Sequence, residues 1–280
     1  MAQIALVTGT SSGIGLSTAV LLAQSGFTVV ATMRNLAKSA VLEAHAKSAG
    51  VSLDVRRLDV QDEASVEGCV REALGTYGRI DVLVNNAGAG YLGTLEQTPP
   101  DALRQTMDVN FFGVWRVTQA VFHTMRAARS GRIITVSSVG GLIGQPFNDA
   151  YCAAKFAVEG FMESLAPVAK RLGIHVSLVE PGAVNTEFVA SVQEQMVKRP
   201  QPVHEDYRPM LDAYLAGTRQ AFATLGQTGD DVGKVIVEAA TADAPHFRYT
   251  TSEFIRGIVS RKYLDPTGDS VVALSGARLP

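Results

Sequence analysis

The chain has 280 residues, 46% of them hydrophobic, and its 25 basic and 27 acidic residues leave a net charge of −2. It contains no basic block, which argues against nucleic-acid binding, and its apolar stretches are far shorter than the roughly 20 residues that span a bilayer. Two cysteines are too few for a disulfide framework and fit a reducing compartment, while the five histidines lack the spacing of metal ligands. We therefore expect one large cytoplasmic α/β domain covering residues 1–280, with no transmembrane segment and no catalytic metal.

The chain begins with a βαβ pattern whose first turn is rich in glycine. Ile4–Val7 is an apolar run of strand length, apolar residues then recur at helical spacing up to Gly26, and a second apolar strand follows. Glycines in such a turn let the backbone approach a pyrophosphate, which rests on the N–H groups of the helix start. Between a strand and a helix, this pattern is a strong signal for dinucleotide binding. The residues of the turn that we expect to contact the cofactor are Gly9, Ser11, Ser12, Gly13, Ile14 and Gly15.

The end of the second strand indicates which dinucleotide is preferred. A carboxylate there bonds the ribose 2′-hydroxyl of NAD, whereas this chain has Met33 followed by Arg34. Arg34 would pair with the 2′-phosphate of NADP, with Ser12 and Asn35 as supporting donors. Opposite charges about 4 Å apart are worth roughly 1 kcal/mol in water and about 4 kcal/mol at an effective dielectric of 20, which implies about one to two decades of preference. We expect NADP(H) to be preferred and keep NAD(H) as an alternative; the alternative role of Arg34 is to solvate a loop.

Strands and helices alternate along the rest of the chain and predict a doubly wound Rossmann fold with a mainly parallel seven-stranded sheet. Strands are expected at residues 3–8, 27–33, 52–58, 80–85, 132–137, 174–180 and 246–250, and helices near 13–25, 36–48, 62–76, 101–128, 150–172 and 229–241. In such sheets ligands lie beyond the carboxyl ends of the strands. The polar or special residues that fall at or just after those ends are Thr8, Asp59, Asn86, Ser138 and Pro181.

Residues 185–226 interrupt this alternation and predict a substrate lid. Three prolines break the rhythm, and bulky apolar side chains accumulate: Phe188, Met196, Met210, Tyr214, Leu215 and Phe222, with Pro200, Pro202 and Pro209 between or beside them. An apolar lid favours a lipophilic substrate, and methionine side chains adapt to varied shapes. A plain packed helix pair is the alternative. Residues 264–280 are expected to form a loose C-terminal surface tail.

Ser138, Tyr151 and Lys155 carry the most informative chemistry. Tyr151 and Lys155 are four residues apart, so on a helix both project from one face, and Ser138 follows the apolar strand at Arg132–Val136. A tyrosine has an unperturbed pKa of about 10, and a neighbouring ammonium favours the phenolate. Ser138 would hold a substrate oxygen within hydrogen-bond reach of Tyr151, and strand alternation points only one of Ser137 and Ser138 at the site. Together these groups can move a proton to or from an alcohol oxygen.

This set, together with the Gly-x-x-x-Gly-x-Gly spacing of the first turn, resembles the short-chain dehydrogenase/reductase superfamily. Further motifs follow in the family's order over at least residues 3–190: Leu-Asp-Val around Asp59, Asn85-Asn86-Ala87-Gly88, Asp-Val-Asn ending at Asn110, and Pro181-Gly182-Ala183-Val184-Asn185-Thr186. The residues around Tyr151, Tyr214 and Arg248 look like the group of 17β-hydroxysteroid dehydrogenase type 1 and retinol dehydrogenases. One departure matters: Gly217 stands where oestrogen-handling members carry a histidine, so oestrogen specificity does not carry over.

The resemblance implies roles for individual residues. The catalytic set would be Asn110, Ser138, Tyr151 and Lys155, with Lys155 also gripping the ribose hydroxyls and Asn110 holding a water that links Lys155 to solvent. The resemblance also implies that Asp59 and Val60 seat the adenine and that Pro181, Val184 and Thr186 seat the carboxamide. The remaining cofactor contacts would be Asn86, Ala87, Gly88 and Gly182, together with Tyr151 and Lys155.

We therefore expect an NADP(H)-dependent oxidoreductase that interconverts a lipophilic secondary alcohol and ketone, or an alcohol and aldehyde, with Tyr151 as general acid and base. A steroid- or retinoid-like substrate fits this expectation. The alternatives are a 3-oxoacyl-thioester reductase, which shares the catalytic set but would need a basic patch for an acidic carrier, a retinal or aliphatic-aldehyde reductase, and a catalytically inactive nucleotide-binding regulator. The presence of all four catalytic residues argues against the last.

The family also implies a homodimer or homotetramer, because its members commonly pair two long helices from each subunit. Trp115, with Phe111, Phe112 and Val114 on the long helix, could furnish such a surface. Ordinary core packing of these side chains is the alternative.

Overall fold

A computed structural model describes residues 2–197 and 202–280 of the chain. Its strands are β1 (Ile4–Thr8), β2 (Thr28–Met33), β3 (Asp54–Arg57), β4 (Val82–Asn85), β5 (Gly131–Val136), β6 (Ile174–Glu180) and β7 (Arg248–Thr250). They form one sheet in the order β3-β2-β1-β4-β5-β6-β7, and all six neighbouring pairs are parallel. The predicted Rossmann fold with a seven-stranded sheet is confirmed.

Helices cover both faces of this sheet. They are α1 (Gly13–Gln24), α2 (Ser39–Ser48), α3 (Glu63–Tyr77), α4 (Pro100–Met107), α5 (Gly113–Ala128), α6 (Asp149–Arg171), α7 (Glu187–Val197), α8 (Arg208–Leu225), α9 (Gly229–Thr241), α10 (Glu253–Leu264) and α11 (Asp269–Gly276). No helix among the described residues combines the length and the apolar character that crossing a membrane requires.

The apolar strand residues divide between two cores, one on each face of the sheet. In β1, Ile4 and Leu6 belong to one core and Ala5 and Val7 to the other. Successive strand side chains point to opposite faces, so a strand covered on both sides is apolar throughout. This explains why the central strands read as continuous hydrophobic runs in the sequence.

Local signals set several helix ends. The side chain of Asp62 accepts a hydrogen bond from the Ser65 N–H at the start of α3, and Gly78 ends that helix in a left-handed conformation with φ 74°. At the start of α9, Thr228 and Asp231 form a reciprocal capping box. Helices α3 and α9 therefore begin at polar caps that the sequence displays.

The single helix expected at residues 101–128 is divided. A π-helical segment, Asp108–Phe112, separates α4 from α5. Within it, the side-chain amide of Asn110 donates to the carbonyl oxygens of Thr106 and Ala89 at 2.9 and 2.8 Å. A side chain that bonds the carbonyl four residues earlier competes with the regular backbone ladder, and π-segments often occur at functional sites.

The region predicted as a lid contains α7 and α8. Residues 198–201 of this region, including Pro200, lie outside the described residues. The apolar side chains of the two helices pack on the loop that follows β4 and the loop that precedes α6, in a cluster around Leu92, Leu211 and Tyr214.

The prediction of a loose tail at residues 264–280 was wrong. Helix α11 occupies Asp269–Gly276, and its Ser275 hydroxyl donates to the Gly144 carbonyl at 2.6 Å. Beyond it, Arg278 donates to the Thr218 hydroxyl at 3.0 Å. The segment is ordered because its polar and apolar side chains find partners on α8 and on the loop before α6.

Candidate active site

The glycine-rich turn after β1 has the close approaches that a dinucleotide turn requires. Gly9 has φ 73°, a conformation that residues with a side chain rarely adopt, and a Cβ there would lie 2.8 Å from the Ala87 Cα. A Cβ on Gly15 would lie 2.3 Å from both the Gly9 oxygen and the Asn86 amide nitrogen. The start of α1 therefore approaches its preceding loop as closely as backbone allows, which leaves its first N–H groups as an anion-binding terminus. Ser11, Ser12, Gly13 and Ile14 complete the turn and are partly buried.

Asn86 ties this turn to the end of β4. Its side-chain amide donates to the carbonyl oxygens of Thr8 and Gly9 at 2.8 and 3.1 Å, and the N–H groups of Asn86 and Ala87 both donate to the Thr8 hydroxyl at 3.0 Å. Adjacent strand ends are thus locked together at the point where the strand order reverses, which is where dinucleotides bind in this fold. Gly88 follows and faces the catalytic residues described below.

The residues expected around the adenosine half occupy the ends of β2 and β3. Arg34 is exposed directly after β2, and among the described residues its guanidinium forms no ion pair. Asp59 is half-buried just after β3, where one of its carboxylate oxygens accepts from the Gln61 N–H at 3.1 Å. The Val60 side chain is buried in the core against Gly113, so only its backbone faces this end of the sheet.

Ser138 and Tyr151 are brought together by the loop from β5 to α6. The Ser138 hydroxyl accepts from the Gly140 N–H at 3.0 Å and lies close enough to the Tyr151 phenol to lower its pKa. Ser137 points elsewhere, because a Cβ on Gly141 would meet its hydroxyl at 2.7 Å and the Glu159 Cγ at 3.0 Å. The choice of Ser138 over its neighbour therefore agrees with the direction of the side chains.

Lys155 lies one helical turn after Tyr151, with its ammonium buried. Its Nζ donates to the Val136 carbonyl at 2.9 Å and lies 5.8 Å from the centroid of the Tyr151 ring. Asn110 is on the other side: a Cβ on Gly88 would lie 2.9 Å from the Asn110 Oδ1 and 3.7 Å from the Lys155 Nζ. The structure therefore places Asn110 and Lys155 beside Gly88, with Tyr151 one helical turn before Lys155 and Ser138 just after β5.

The pKa of the Tyr151 phenol differs from the sequence-based expectation. Burial raises it to about 12, and the hydrogen bond with Ser138 opposes this only in part. The Lys155 ammonium, 5.8 Å from the centroid of the Tyr151 ring, adds no lowering of the phenol's pKa, and burial lowers its own pKa to about 8. The expected acidification of Tyr151 by Lys155 therefore stays a prediction, and in this structure the ammonium bonds the Val136 carbonyl.

The segment after β6 faces the same cleft. Pro181 is buried and its carbonyl accepts from the Val139 N–H at 2.9 Å, while Val184 pairs with Gln227 in an isolated bridge. Thr186 contacts the turn at Gly13, where a Cβ would meet its side chain at 3.0 Å. Gly182 has no room for a side chain, because a Cβ would lie 2.4 Å from Ile255 on α10.

Two features around the site were missed in the sequence. The ring of Phe188, on α7, lies 5.9 Å from that of Tyr151, and it touches Gly90, where a Cβ would lie 2.7 Å from the ring. Asn148, three residues before Tyr151, donates to the Tyr214 hydroxyl of α8 at 2.8 Å. No local sequence pattern predicts these contacts of Gly90 and Asn148, because they depend on where α7 and α8 lie.

These positions form a site that can bind a dinucleotide and move a proton at an alcohol or carbonyl oxygen. The family model for short chain dehydrogenases matches residues 3–197, well over half of the chain. The chain belongs to the short-chain dehydrogenase family. Like its relatives in this family, this short-chain dehydrogenase is an oxidoreductase that acts on CH–OH groups.

Two curated relatives are similar over nearly the whole chain. Retinol dehydrogenase 8 from Bos taurus is 42% identical over 276 residues, which cover 96% of this chain and 88% of the relative. 17-beta-hydroxysteroid dehydrogenase type 1 from Homo sapiens is 41% identical over 278 residues, which cover 96% of this chain and 83% of the relative. The predicted resemblance to the hydroxysteroid and retinol dehydrogenase group is confirmed.

Solved structures of other short-chain dehydrogenases share the fold. One from Streptomyces avermitilis has a TM-score of 0.80 and 28% identity, covering 99% of this chain and 98% of its own. One from Burkholderia phymatum, in complex with NAD, has a TM-score of 0.79 and 26% identity, covering 94% of each chain. A metagenomic short-chain oxidoreductase in complex with NADP has a TM-score of 0.69 and 27% identity, covering 89% of this chain and 96% of its own. The fold binds NAD or NADP.

Proposed function

We propose that this short-chain dehydrogenase uses NADP(H) to interconvert a lipophilic alcohol and its ketone or aldehyde, with Tyr151 as general acid and base. The observation that carries the proposal is that Lys155 and Asn110 both approach Gly88, beside the glycine-rich turn, while Tyr151 lies one helical turn before Lys155 and next to Ser138. Proton transfer at an oxygen requires groups within hydrogen-bond reach of one another, and these residues provide them. When bound, the nicotinamide supplies or accepts the hydride at the carbon.

The chain's own residues handle the oxygen and its proton. In carbonyl reduction, the Tyr151 phenol donates its proton to the carbonyl oxygen, and the Ser138 hydroxyl donates a hydrogen bond that orients this oxygen and stabilises the developing alkoxide. A phenol whose pKa lies near 12 is protonated at neutral pH and can donate. Lys155 would grip the ribose hydroxyls, and Asn110 would hold the water through which Lys155 exchanges protons with solvent. This chemistry suits reduction near neutrality.

The cofactor contacts follow the same positions. Gly9 and Gly15 admit the pyrophosphate to the start of α1, and Arg34 is placed after β2 to pair with a 2′-phosphate. Asp59 and the backbone of Val60 would border the adenine. The other residues proposed to line the cofactor are Ser11, Ser12, Gly13, Ile14, Asn86, Ala87, Gly88, Pro181, Gly182, Val184 and Thr186, with Tyr151 and Lys155. NAD(H) remains the alternative cofactor, because the supporting charge comes from Arg34 alone.

The lid supports a lipophilic substrate. Phe188 faces the Tyr151 ring, and Val192, Met196 and Leu215 belong to the apolar cluster between the lid helices and the loop after β4. The names of the two curated relatives, a retinol dehydrogenase and a hydroxysteroid dehydrogenase, suggest a retinoid- or steroid-like molecule of this kind. Gly217 has open space around its Cα and offers no donor to the far end of a steroid. We therefore assign the lipophilic class and not a particular steroid.

Assembly into a homodimer or homotetramer is proposed on the aromatic surface of α5 and α6. Trp115 and Phe112 are both more than 40% exposed. The Trp115 ring stacks on that of Phe161 at 4.5 Å, and Phe111 lies edge-on to the same ring at 6.3 Å. Large apolar side chains grouped on an exposed face are typical of a protein–protein interface.

Tyr151→Phe tests the proposal directly. Removing the hydroxyl leaves the ring in place, so NADPH should still bind, while turnover with a panel of steroids, retinoids, aldehydes and ketoacyl thioesters should fall by about 10²- to 10⁴-fold. Binding is measured by NADPH fluorescence and turnover by absorbance at the nicotinamide band. Tyr77→Phe is the matched control, because that phenol bonds Asp54 at the amino end of β3, far along the sheet from the site. Full turnover in Tyr151→Phe would refute the assigned role.

A further inference from the structure

A group of buried charges lies directly behind Lys155. Glu159 on α6 and Glu180 at the end of β6 are 5% and 0% exposed, and both bind Arg248 of β7. The Arg248 Nη1 lies 2.6 Å from the Glu180 Oε1 and also contacts the Glu159 Oε2. We call Glu159, Glu180 and Arg248 the buried carboxylate cluster. It joins α6, the helix that carries Tyr151 and Lys155, to β6 and β7.

The cluster carries more negative than positive charge. One guanidinium serves two buried carboxylates, and within the described part of the chain the Glu159 Oε1 and the Glu180 Oε2 are buried with no hydrogen-bond partner. Burying a carboxylate that is not fully paired is costly, so a further cation nearby is favourable. Lys155 is four residues before Glu159, hence on the same face of α6, and its ammonium is buried as well. With Lys155 charged, the four groups sum to zero.

The coupling between Lys155 and Glu159 runs in both directions. Burial lowers the pKa of Lys155, and the Glu159 carboxylate acts against this by raising it. Burial likewise raises the pKa of Glu159, while Arg248 and Lys155 lower it. Burial and the neighbouring Glu159 raise the pKa of Glu180 to about 7, in spite of its bond with Arg248. Each charge in the group therefore depends on the others.

We propose that Glu159, held in place by Arg248 and Glu180, is a positioning residue that keeps Lys155 protonated. The inference rests on the role of Lys155 in the proposed function, and it adds a residue that does not touch substrate or cofactor. Lys155 uses one N–H on the Val136 carbonyl, and along α6 it stands one turn after Tyr151 and one turn before Glu159. Without the negative charge of Glu159, burial alone would favour the neutral amine.

Other charged groups around the cluster do not replace Glu159. From α10, Lys262 donates to the Leu142 carbonyl at 2.6 Å and lies over the Phe156 ring; burial lowers its pKa, Glu159 opposes this and Arg248 adds to it. The Tyr263 phenol, also on α10, feels Arg248 and the cluster carboxylates, and burial is the main cause of its raised pKa.

Two groups closer to Glu159 complete its surroundings. From the end of β5, the Ser137 hydroxyl lowers the pKa of Glu159, although no hydrogen bond of ordinary geometry joins the two. From α6, Glu163 bonds the Arg248 Nη2 at 2.7 Å but is 68% exposed. On the helix of Lys155 itself, Tyr151 and Cys152 are neutral near pH 7, since burial raises the pKa of both. Glu159 is therefore the carboxylate nearest to Lys155 along α6.

Glu159→Gln tests the proposal, because it removes the charge while keeping the size and an oxygen for Arg248. The readout is the pH titration of the Lys155 side chain, followed by NMR of ¹³Cε-labelled lysine and assigned with Lys155→Arg. Seven lysines keep the spectrum simple. We expect the titration midpoint of Lys155 to fall by about one pH unit, since a neighbouring opposite charge shifts a pKa by about 1–3 units. The basic limb of the pH profile of kcat/KM should move in the same direction.

Glu163→Gln is the matched control, since it removes a carboxylate from the same helix and the same arginine but one turn farther from Lys155. In Glu163→Gln the titration midpoint of Lys155 should not change. In Glu159→Asp, which keeps the negative charge, the midpoint should stay close to that of the parent chain. If Glu159→Gln does not fold, Glu180→Gln is the second test variant. We expect it to lower the titration midpoint of Lys155 by a smaller amount. An unchanged midpoint, or equal shifts in Glu159→Gln and Glu163→Gln, would overturn the proposal and leave the cluster a purely structural tie. The titration needs no turnover, so its outcome is independent of the Tyr151→Phe result.

Discussion

Tyr151 shows how burial and charge compete at one side chain. Tyr151 is half-buried, and its ring lies beside that of Phe188. The Lys155 ammonium, which could stabilise a phenolate, lies 5.8 Å from the ring centroid and bonds the Val136 carbonyl. Burial disfavours the phenolate, which is why the pKa lies near 12. A protonated phenol is ready to give a proton to a carbonyl oxygen, whereas alcohol oxidation first requires its removal. At the scale of the residue, burial therefore keeps the phenol in its protonated form near neutral pH.

Arg34 carries the proposed cofactor preference, and Arg34→Ala removes it. We expect the KM for NADPH to rise about 10- to 100-fold while the KM for NADH changes little, because only NADPH has a 2′-phosphate for the guanidinium to bind. Steady-state kinetics with both cofactors measures the two values. Lys47→Ala is the charge-matched control, since Lys47 is exposed in the last turn of α2. An equal rise for both cofactors would rule out a contact with the 2′-phosphate.

Residue spacing was enough to predict which side chains meet, but not their protonation. The four-residue separation of Tyr151 and Lys155 and the strand end before Ser138 depend on local geometry, which a sequence displays. The pKa of Tyr151 and the buried partners of Lys155 depend on burial. The sequence shows that Glu159 follows Lys155 by four residues. Its ion-pair partner Arg248, however, lies on a strand 89 residues further along the chain. Local sequence spacing cannot predict an ion-pair partner at that separation.

At the scale of elements, α11 connects the lid to the catalytic loop. Ser275 bonds Gly144 in the loop between β5 and α6. The Arg278 guanidinium lies 4.4 Å from the centroid of the Tyr214 ring and bonds Thr218, both on α8. Leu279 packs into the apolar cluster beneath the same helix. The C-terminal segment therefore holds α8 against the loop that leads to Tyr151.

Arg278→Ala should loosen α8. It removes a cation–π contact worth about 0.5–2 kcal/mol and a hydrogen bond worth about 1 kcal/mol. We expect faster amide hydrogen exchange in α8 and a rise of about 3- to 10-fold in the KM for a lipophilic carbonyl substrate, with the KM for NADPH nearly unchanged. Arg256→Ala, which removes an exposed arginine that pairs with Glu253 three residues earlier on α10, serves as the control. Unchanged exchange throughout α8 would show that α11 does not restrain the lid.

The C-terminal helix also shows why the element-level prediction failed there. Aspartate, proline and glycine favour turns, and these residue types occur together at residues 265–268. This composition predicts that the structured part of the chain ends there and that a loose segment follows. In the structure the Asp265 carboxylate accepts from the Thr267 and Ser270 N–H groups, so the turn leads into a new helix. The helix is short, and its place is defined by the packing of Val271 against α10 and by the bond of Ser275 to the loop at Gly144.

At the scale of the whole molecule, the fold followed from periodicity. Strand-length apolar runs alternating with helical patterns predict a parallel sheet, and the carboxyl ends of parallel strands meet at one edge. That edge holds Thr8, Asn86, Ser138 and Pro181 in the structure, as the chain order implied. What the periodicity could not convey is the position of the lid, since α7 and α8 pack on loops and not on the sheet.

Assembly is a property of the whole molecule, and Trp115→Lys tests the surface proposed for it. Trp115 is 44% exposed and stacks on Phe161, so in a dimer formed by α5 and α6 it would lie near the centre of the interface. A buried tryptophan at such a place contributes about 2 kcal/mol or more, so the dissociation constant should rise by at least about 30-fold and sedimentation at micromolar concentration should show monomers. Leu264→Lys changes an 81% exposed apolar residue on α10 and should leave the distribution as it was. If Trp115→Lys sediments like the parent chain, subunits associate through another surface or not at all, because a lysine cannot be buried in this aromatic group without a charged partner.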